Sequence, residues 1–331
     1  MTGLKFAVWV PSFTFPNLTY ERAIHSVKAF GRRAEALELD LWVIDHLLTA
    51  PGLYGMSWLE PMTVMSVLAG CTERVTLGTG VLVLPLRQPV LLAKEVASLQ
   101  FLSGGRFAFG VGPGWYPPEY VAVGNRIEER GGRTDEILEA IRRLLTEERV
   151  TFQGRYYQFE DVTIDPRPPT LPEVWVAGGS RVPDPEYYDK PDIAQSVLRR
   201  ILGADGWLSR CSGKQEWVKR DWEVIREFVA ANGRDPQTLR FGHTNFIHLV
   251  DTTDRQAALR AQRPVFEQAM GTHRSWEHLQ ESYMTGTIDD IVARIEDLRQ
   301  AGLEYLVLGP VTDDLQQLDL LAEKVLPHFR S

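Results

Sequence analysis

The feature that most restricts this chain is an alternation. Short β-branched or apolar runs are each followed by a stretch with helical spacing, and the pair recurs along 331 residues. One unit, Val75 to Tyr120, shows the pattern in full. Val75 to Val83 is an apolar run interrupted by Gly78 and Gly80, which predicts a bulge or a close backbone approach. Pro85 breaks it, and Pro89 opens a helix whose apolar side is Val90, Ala93, Val96, Ala97 and Leu99. Ser103-Gly104-Gly105 ends that helix, and Phe107 to Val111 is the next strand.

The same reading extends over the chain. Strands are expected at Phe6 to Val10, Leu41 to Ile44, Val75 to Val83, Phe107 to Val111, Val174 to Ala177, Gly206 to Leu208, Leu239 to Val250 and Tyr305 to Leu308. Further helices are expected at Tyr20 to Leu37, Pro61 to Ala69, Arg126 to Glu147, Ile193 to Leu202, Glu216 to Ala231, Asp254 to Met270 and Leu315 to Phe329. Thr287 to Asp290 reads as a capping box for one more, ending near Gly302. Residues 150–172 break the alternation with a β-hairpin turning at Gln153-Gly154 and a proline-rich connector. Because alternation resumes at once, this is an insertion after the fourth βα unit, and residues 1–331 form one domain. The fold class is therefore an α/β protein of the (β/α)8 TIM-barrel type. A doubly wound sheet is the alternative, but the first βα turn, Val10-Pro11-Ser12-Phe13, lacks a dinucleotide glycine fingerprint. Gly271 to Thr285 resists assignment.

Composition narrows the function. A net charge of −8 and the lack of a basic stripe argue against a nucleic-acid partner. No apolar run is long enough to span a bilayer, and the N-terminus enters a strand without a signal sequence, so a cytoplasmic location is expected. The two cysteines, Cys71 and Cys211, suit a reducing compartment and show no acid–base partner. The histidines show no metal-ligand spacing, so no metal is expected.

In a barrel, chemistry gathers at the C-terminal strand ends. That rule selects Asp45-His46, Gly80-Val81, Gly112 to Tyr116, Gly178 to Ser180, Asp205 to Trp207 and, more weakly, His243. His46 is a candidate acid/base or hydrogen-bond donor, because histidine titrates near neutrality; its plain structural role would be to cap a loop. Asp45 either orients His46 or forms a turn. Gly112 and Gly114 let backbone approach a planar ligand, with Trp115 and Tyr116 as walls. Arg133 lies near a helix N-terminus, where an anion is favoured, or pairs with Asp135 or Glu136. Gly178, Gly179 and Ser180 offer N–H groups and a hydroxyl to an anion. Phe13, Phe15, Trp58 and Trp115 suggest an apolar substrate pocket. His243 is expected inside the barrel without a catalytic part.

The motifs GTGVLVLP, LSGGRFAFGVGPGW and RTDE, with VWVAGG, ADGW and TGTIDDIVARIEDLRQAGLEYLVL in the same order, resemble the bacterial luciferase-like family of flavin- and deazaflavin-dependent oxidoreductases. The resemblance covers nearly the whole chain and implies the same barrel with an insertion. It implies an active-site histidine at His46, a non-prolyl cis peptide at Gly80-Val81 behind the cofactor ring, and phosphate contacts from Arg133 and the Gly178–Ser180 loop. Pro113 departs from the pattern, standing where luciferase has a phosphate-gripping arginine. The implied activity is monooxygenation of a small organic substrate by reduced FMN and O2, with a separate flavin reductase as a possible partner. The alternative is hydride transfer with a deazaflavin, coenzyme F-420. The resemblance also implies a homodimer through the helices at Pro61 and Pro89; Trp58, Met62 and Met65 would suit that surface and would suit a core equally well. Two other classes compete: a metal-dependent barrel hydrolase, which would need more His, Asp and Glu at strand ends, and a non-catalytic flavin-binding relative.

Overall fold

Eight parallel strands close on themselves in a computed structural model that describes residues 3–14, 19–50, 54–180 and 193–330. The strands are β1 (Lys5–Trp9), β2 (Asp40–Val43), β3 (Leu77–Thr79), β4 (Phe107–Gly112), β5 (Glu173–Ala177), β6 (Gly206–Ser209), β7 (Arg240–Ile247) and β8 (Tyr305–Pro310). Each pairs in parallel with its neighbour, β8 with β1 and β4 with β5, which completes the barrel. Phe15, named from sequence, lies outside the described residues.

The helices start where local chemistry says they should. They are α1 (Tyr20–Ala36), α2 (Pro61–Ala69), α3 (Pro89–Leu102), α4 (Arg130–Thr146), α5 (Gln195–Leu202), α6 (Gln215–Ala231), α7 (Arg255–Met270), α8 (Ile288–Gln300) and α9 (Gln316–Leu320). Glu60 and Gln88 cap α2 and α3 by accepting N–H bonds at 2.7 Å, each with a proline in the first turn. The capping box at Thr287 and Asp290 opens α8. The hairpin follows α4 as Val150–Gln153 and Gln158–Val162. Glu136 of α4 holds its turn, accepting from the N–H groups of Arg155, Tyr156 and Tyr157 at 2.8, 2.9 and 3.1 Å.

Two apolar layers result. One fills the space between the barrel wall and the helices and includes Leu41, Met65, Val96, Ile141, Trp207 and Trp222. Met62 and Met65 belong to it, so they are core residues of α2 and not surface for a second copy. The other fills the barrel with Trp42, Trp175, Leu208 and Tyr305. These rings need room. A Cβ added at Gly78 would stand 2.4 Å from Trp42, and one at Gly206 would stand 2.2 Å from Trp175. Gly78 thus serves the barrel's own packing and not a ligand.

Sequence periodicity missed some elements. The third run is two strands, β3 and Leu82–Val83, separated by the cis peptide Gly80-Val81. Short helices at Pro117–Ala122 and Trp276–Ser282 are too brief to show a period. The closing helix shortens to α9 and then loosens into a π turn and a 3-10 turn at Pro327.

Candidate active site

The C-terminal mouth of the barrel is roofed by its own loops. Phe13–Thr14 after β1 pairs with Ser57–Trp58 after β2, which sets Phe13 beside Trp58 in register. Gly55 N–H donates to the Ala269 carbonyl at 3.0 Å, drawing the β2 loop onto the end of α7. Trp9, Phe13, Met56, Phe246, Phe266, Met270 and Tyr283 then form one buried cluster under the loops.

His46 sits at the edge of this roof. Its ring lies 4.8 Å from Trp58, 5.5 Å from Tyr54 and 5.8 Å from Trp115. Its Nδ1 lies 3.1 Å from Glu119 Oε1, and the same oxygen accepts the N–H groups of Leu47 at 2.8 Å and Leu48 at 3.2 Å. Oε1 is an acceptor for three nitrogens, so the imidazole donates from Nδ1. Its Nε2 has no hydrogen-bond partner among the described residues. A cleft of about 440 Å³ opens beside it, lined by His46, Trp58, Glu60, Arg87, Leu91 and Glu95 among others.

Asp45 does not orient His46. Its Oδ2 accepts from Val83 N–H at 2.7 Å and from Arg87 at 2.5 Å, and Arg87 also reaches Glu60 at 3.3 Å. Burial works against the Arg87 charge, but Asp45 and Glu60 more than offset this and hold it above its ordinary range. The carboxylate at the histidine is Glu119, which is 1% exposed. Sequence reasoning passed it over because it lies off any strand end. The signal was Pro117-Pro118, which starts a one-turn helix and delivers the next residue inward.

The remaining predicted residues separate. An added Cβ on Gly80 would lie 2.6 Å from Trp9 Nε1, and one on Gly112 would lie 2.8 Å from Val81. Gly80, Val81, Gly112 and Trp9 therefore meet at one point of the mouth. Gly114 has φ of 71°, and a Cβ there would strike Val83 and the Tyr120 hydroxyl, so glycine is required. Tyr120 O–H donates to the Pro113 carbonyl and pins this loop. Tyr116 packs on Trp115 at 5.5 Å. Arg133 pairs with Glu129 at 2.9 Å, not with Asp135 or Glu136, and its guanidinium lies over Tyr156 and Tyr157. Asp135 pairs with Arg200. Asp205 precedes β6, so it lies at the opposite barrel end, where it accepts from Val174 N–H at 2.7 Å. His243 is buried but faces the helices and not the interior, since its neighbour Gly242 faces Leu208 and Trp175. Burial raises both thiols, Cys211 to about 11, which suits inert cysteines. No group of three metal-ligating side chains occurs among the described residues.

Two observations bear on a planar cofactor. Trp9, 4% exposed, has a buried indole N–H with no acceptor, and so does Trp58. An unpaired buried donor is costly, on the order of 1–3 kcal/mol, unless a ligand completes it. An aromatic ring carrying carbonyl and ring-nitrogen acceptors has the chemistry to complete such donors, and in that respect the residues present fit the ring of a flavin or deazaflavin.

Comparison with known proteins identifies the family. The family model of the luciferase-like monooxygenases matches residues 4–183, more than half of the chain. The chain belongs to that family. It is 24% identical to an FMNH(2)-dependent dimethylsulfone monooxygenase of Pseudomonas fluorescens (strain Pf0-1), over 99% of this chain and 95% of the relative. It is 30% identical to an F420-dependent glucose-6-phosphate dehydrogenase of Intrasporangium calvum, over 90% and 92%. The crystal structure of monooxygenase RslO1 from Streptomyces bottropensis shares the fold, with a TM-score of 0.80 at 23% identity, covering 99% of this chain and all of that one.

Proposed function

We propose that this chain, acting as one domain, binds reduced FMN and uses O2 to oxygenate a small apolar organic molecule. The observation that carries the reading is the His46 constellation. Glu119 fixes the ring through Nδ1 and leaves Nε2 unpaired, on a ring set among Tyr54, Trp58 and Trp115 that lines a cleft together with Trp58, Glu60 and Arg87. When bound, the reduced ring supplies the electrons of the reaction. The Trp9 and Trp58 indole N–H groups would donate to that ring at the mouth of the barrel, and the backbone at Gly80, Val81 and Gly112 would form its wall. Tyr54, Trp58 and Trp115 exclude water, and His46 Nε2 holds or delivers the proton that the oxygenated product needs. A separate reductase would supply the reduced flavin. Hydride transfer with the deazaflavin is the second reading, supported by the Intrasporangium relative and by Pro113, which provides no cation for a flavin phosphate. A homodimer through α2 and α3 and a cytoplasmic location belong to the same proposal. Leu91, Phe101 and Leu102 of α3 are exposed apolar side chains that would meet the second copy.

The deciding experiment is calorimetric titration of the purified protein with reduced FMN and, separately, with the reduced deazaflavin. Tight binding of FMN alone supports the oxygenase. Tight binding of the deazaflavin alone removes O2 from the reaction. Binding of neither by a folded protein overturns both and favours a non-catalytic relative.

A further inference from the structure

The loop after β5 carries Gly178-Gly179-Ser180, and both donors of Ser180 already hold a carboxylate that belongs to the protein. Asp221 of α6 is 5% exposed. Its Oδ2 accepts from Ser180 N–H at 2.8 Å and from Ser180 Oγ–H at 3.0 Å. Gly179 makes this approach possible, since a Cβ there would stand 2.5 Å from the same oxygen. Two more contacts fix the loop. Trp207 Nε1–H donates to the Gly178 carbonyl at 2.7 Å, and Arg210 donates to the Ser180 carbonyl. A backbone N–H and a hydroxyl converging on one carboxylate oxygen, beside a guanidinium, is the geometry that binds a phosphate oxygen.

Arg133, the other residue implied to contact a phosphate, is engaged as well, paired with Glu129 at 2.9 Å. Position 113 is a proline and offers no donor. Ser180 has one N–H and one O–H proton, and both are given to Asp221. A phosphate oxygen can take either only by displacing that carboxylate, and until it does the two anions repel across a site with little solvent to screen them.

We propose that Asp221 is an internal stand-in for phosphate, competing for the Gly178–Ser180 loop and thereby setting how tightly a phosphorylated cofactor is held. The inference rests on the cofactor reading above. It makes Asp221 a specificity-determining residue: the site discriminates less between phosphorylated and phosphate-free forms of the same ring than it would without this side chain.

The test is titration of wild type and Asp221→Asn with FMN, with riboflavin and with inorganic phosphate. Asn keeps an oxygen for the Ser180 N–H but removes the charge, and a thermal melt verifies the fold. FMN and inorganic phosphate should bind the variant about tenfold more tightly with riboflavin unchanged. Adding Ser180→Ala should cancel the gain. An FMN-to-riboflavin affinity ratio that stays level or falls in the variant would show that Asp221 only anchors the loop, and would overturn the proposal. Should wild type bind neither flavin, the deazaflavin and its phosphate-free core replace them, and the same ratio decides. If a folded protein binds none of the four, the cofactor reading itself has failed, an outcome separate from an unchanged ratio, and the Asp221 proposal falls with it.

Discussion

His46 and His243 are both shielded from solvent, but only His46 keeps a ring nitrogen for a ligand. At His243 every valence is used. Asn245 Nδ2 donates to Nε2 at 3.2 Å, and the Asn245 amide is oriented by accepting Met284 N–H at 3.2 Å. Nε2 is thus an acceptor, so Nδ1 carries the proton and donates to Ser209 Oγ at 2.6 Å. Burial, aided by the Arg294 charge, pushes this histidine down to about 3 and keeps it neutral. At His46 the partner is a carboxylate on one side and a cleft on the other. A histidine's place along a strand says little about its use. What the neighbours leave unbonded says more.

The largest test of this contrast removes each ring. His46→Gln should lower kcat by on the order of a hundredfold or more, on the substrate that a screen with the bound cofactor yields, with the melting temperature little changed. A loss below threefold would put His46 on a level with His243 and erase the contrast. Next comes the positioning group. Glu119→Gln keeps an oxygen for the Leu47 and Leu48 N–H groups but loses the charge facing Nδ1. kcat should fall roughly tenfold while KM holds, whereas a merely structural Glu119 would lower melting temperature and leave kcat of the folded fraction alone.

The smallest effect sharpens the His243 side. The folded state binds this proton more weakly than the unfolded chain, whose histidine stays near 6.5. Between about pH 6.5 and 3 the unfolded chain therefore holds more protons, and stability drops as pH falls through that window. Urea unfolding from pH 7 to pH 4.5 should show the slope, and His243→Asn should flatten it by up to about 1.4 kcal/mol per pH unit. Equal slopes in both proteins would mean that His243 takes up its proton in the folded state.

The two ends of the chain's logic were not equally legible. Apolar runs alternating with helical spacing placed all eight strands, because a buried parallel strand must be an apolar run and a covering helix must show one apolar face. Position at a strand end picked out His46 and the Gly80-Val81 bulge for the same topological reason. The partners were not legible. Asp45 is adjacent to His46 in sequence, yet the Arg87 and Val83 contacts carry it away. Glu119 is 73 residues distant and meets the ring.

Gly178-Gly179-Ser180 makes the same point at the other side of the barrel. The sequence by itself determined the barrel, its insertion and a set of loops able to bind a ligand, because these follow from local patterns of hydrophobicity, proline and glycine. Only the tertiary structure decided whether the Ser180 donors remain free, because Asp221 claims them through a contact that α6 and the β5 loop create on packing, whereas Glu129 claims Arg133 locally at i,i+4 spacing. A hydrogen-bond donor has a fixed capacity, and its allocation is a property of the folded neighbourhood, not of the residue that carries it.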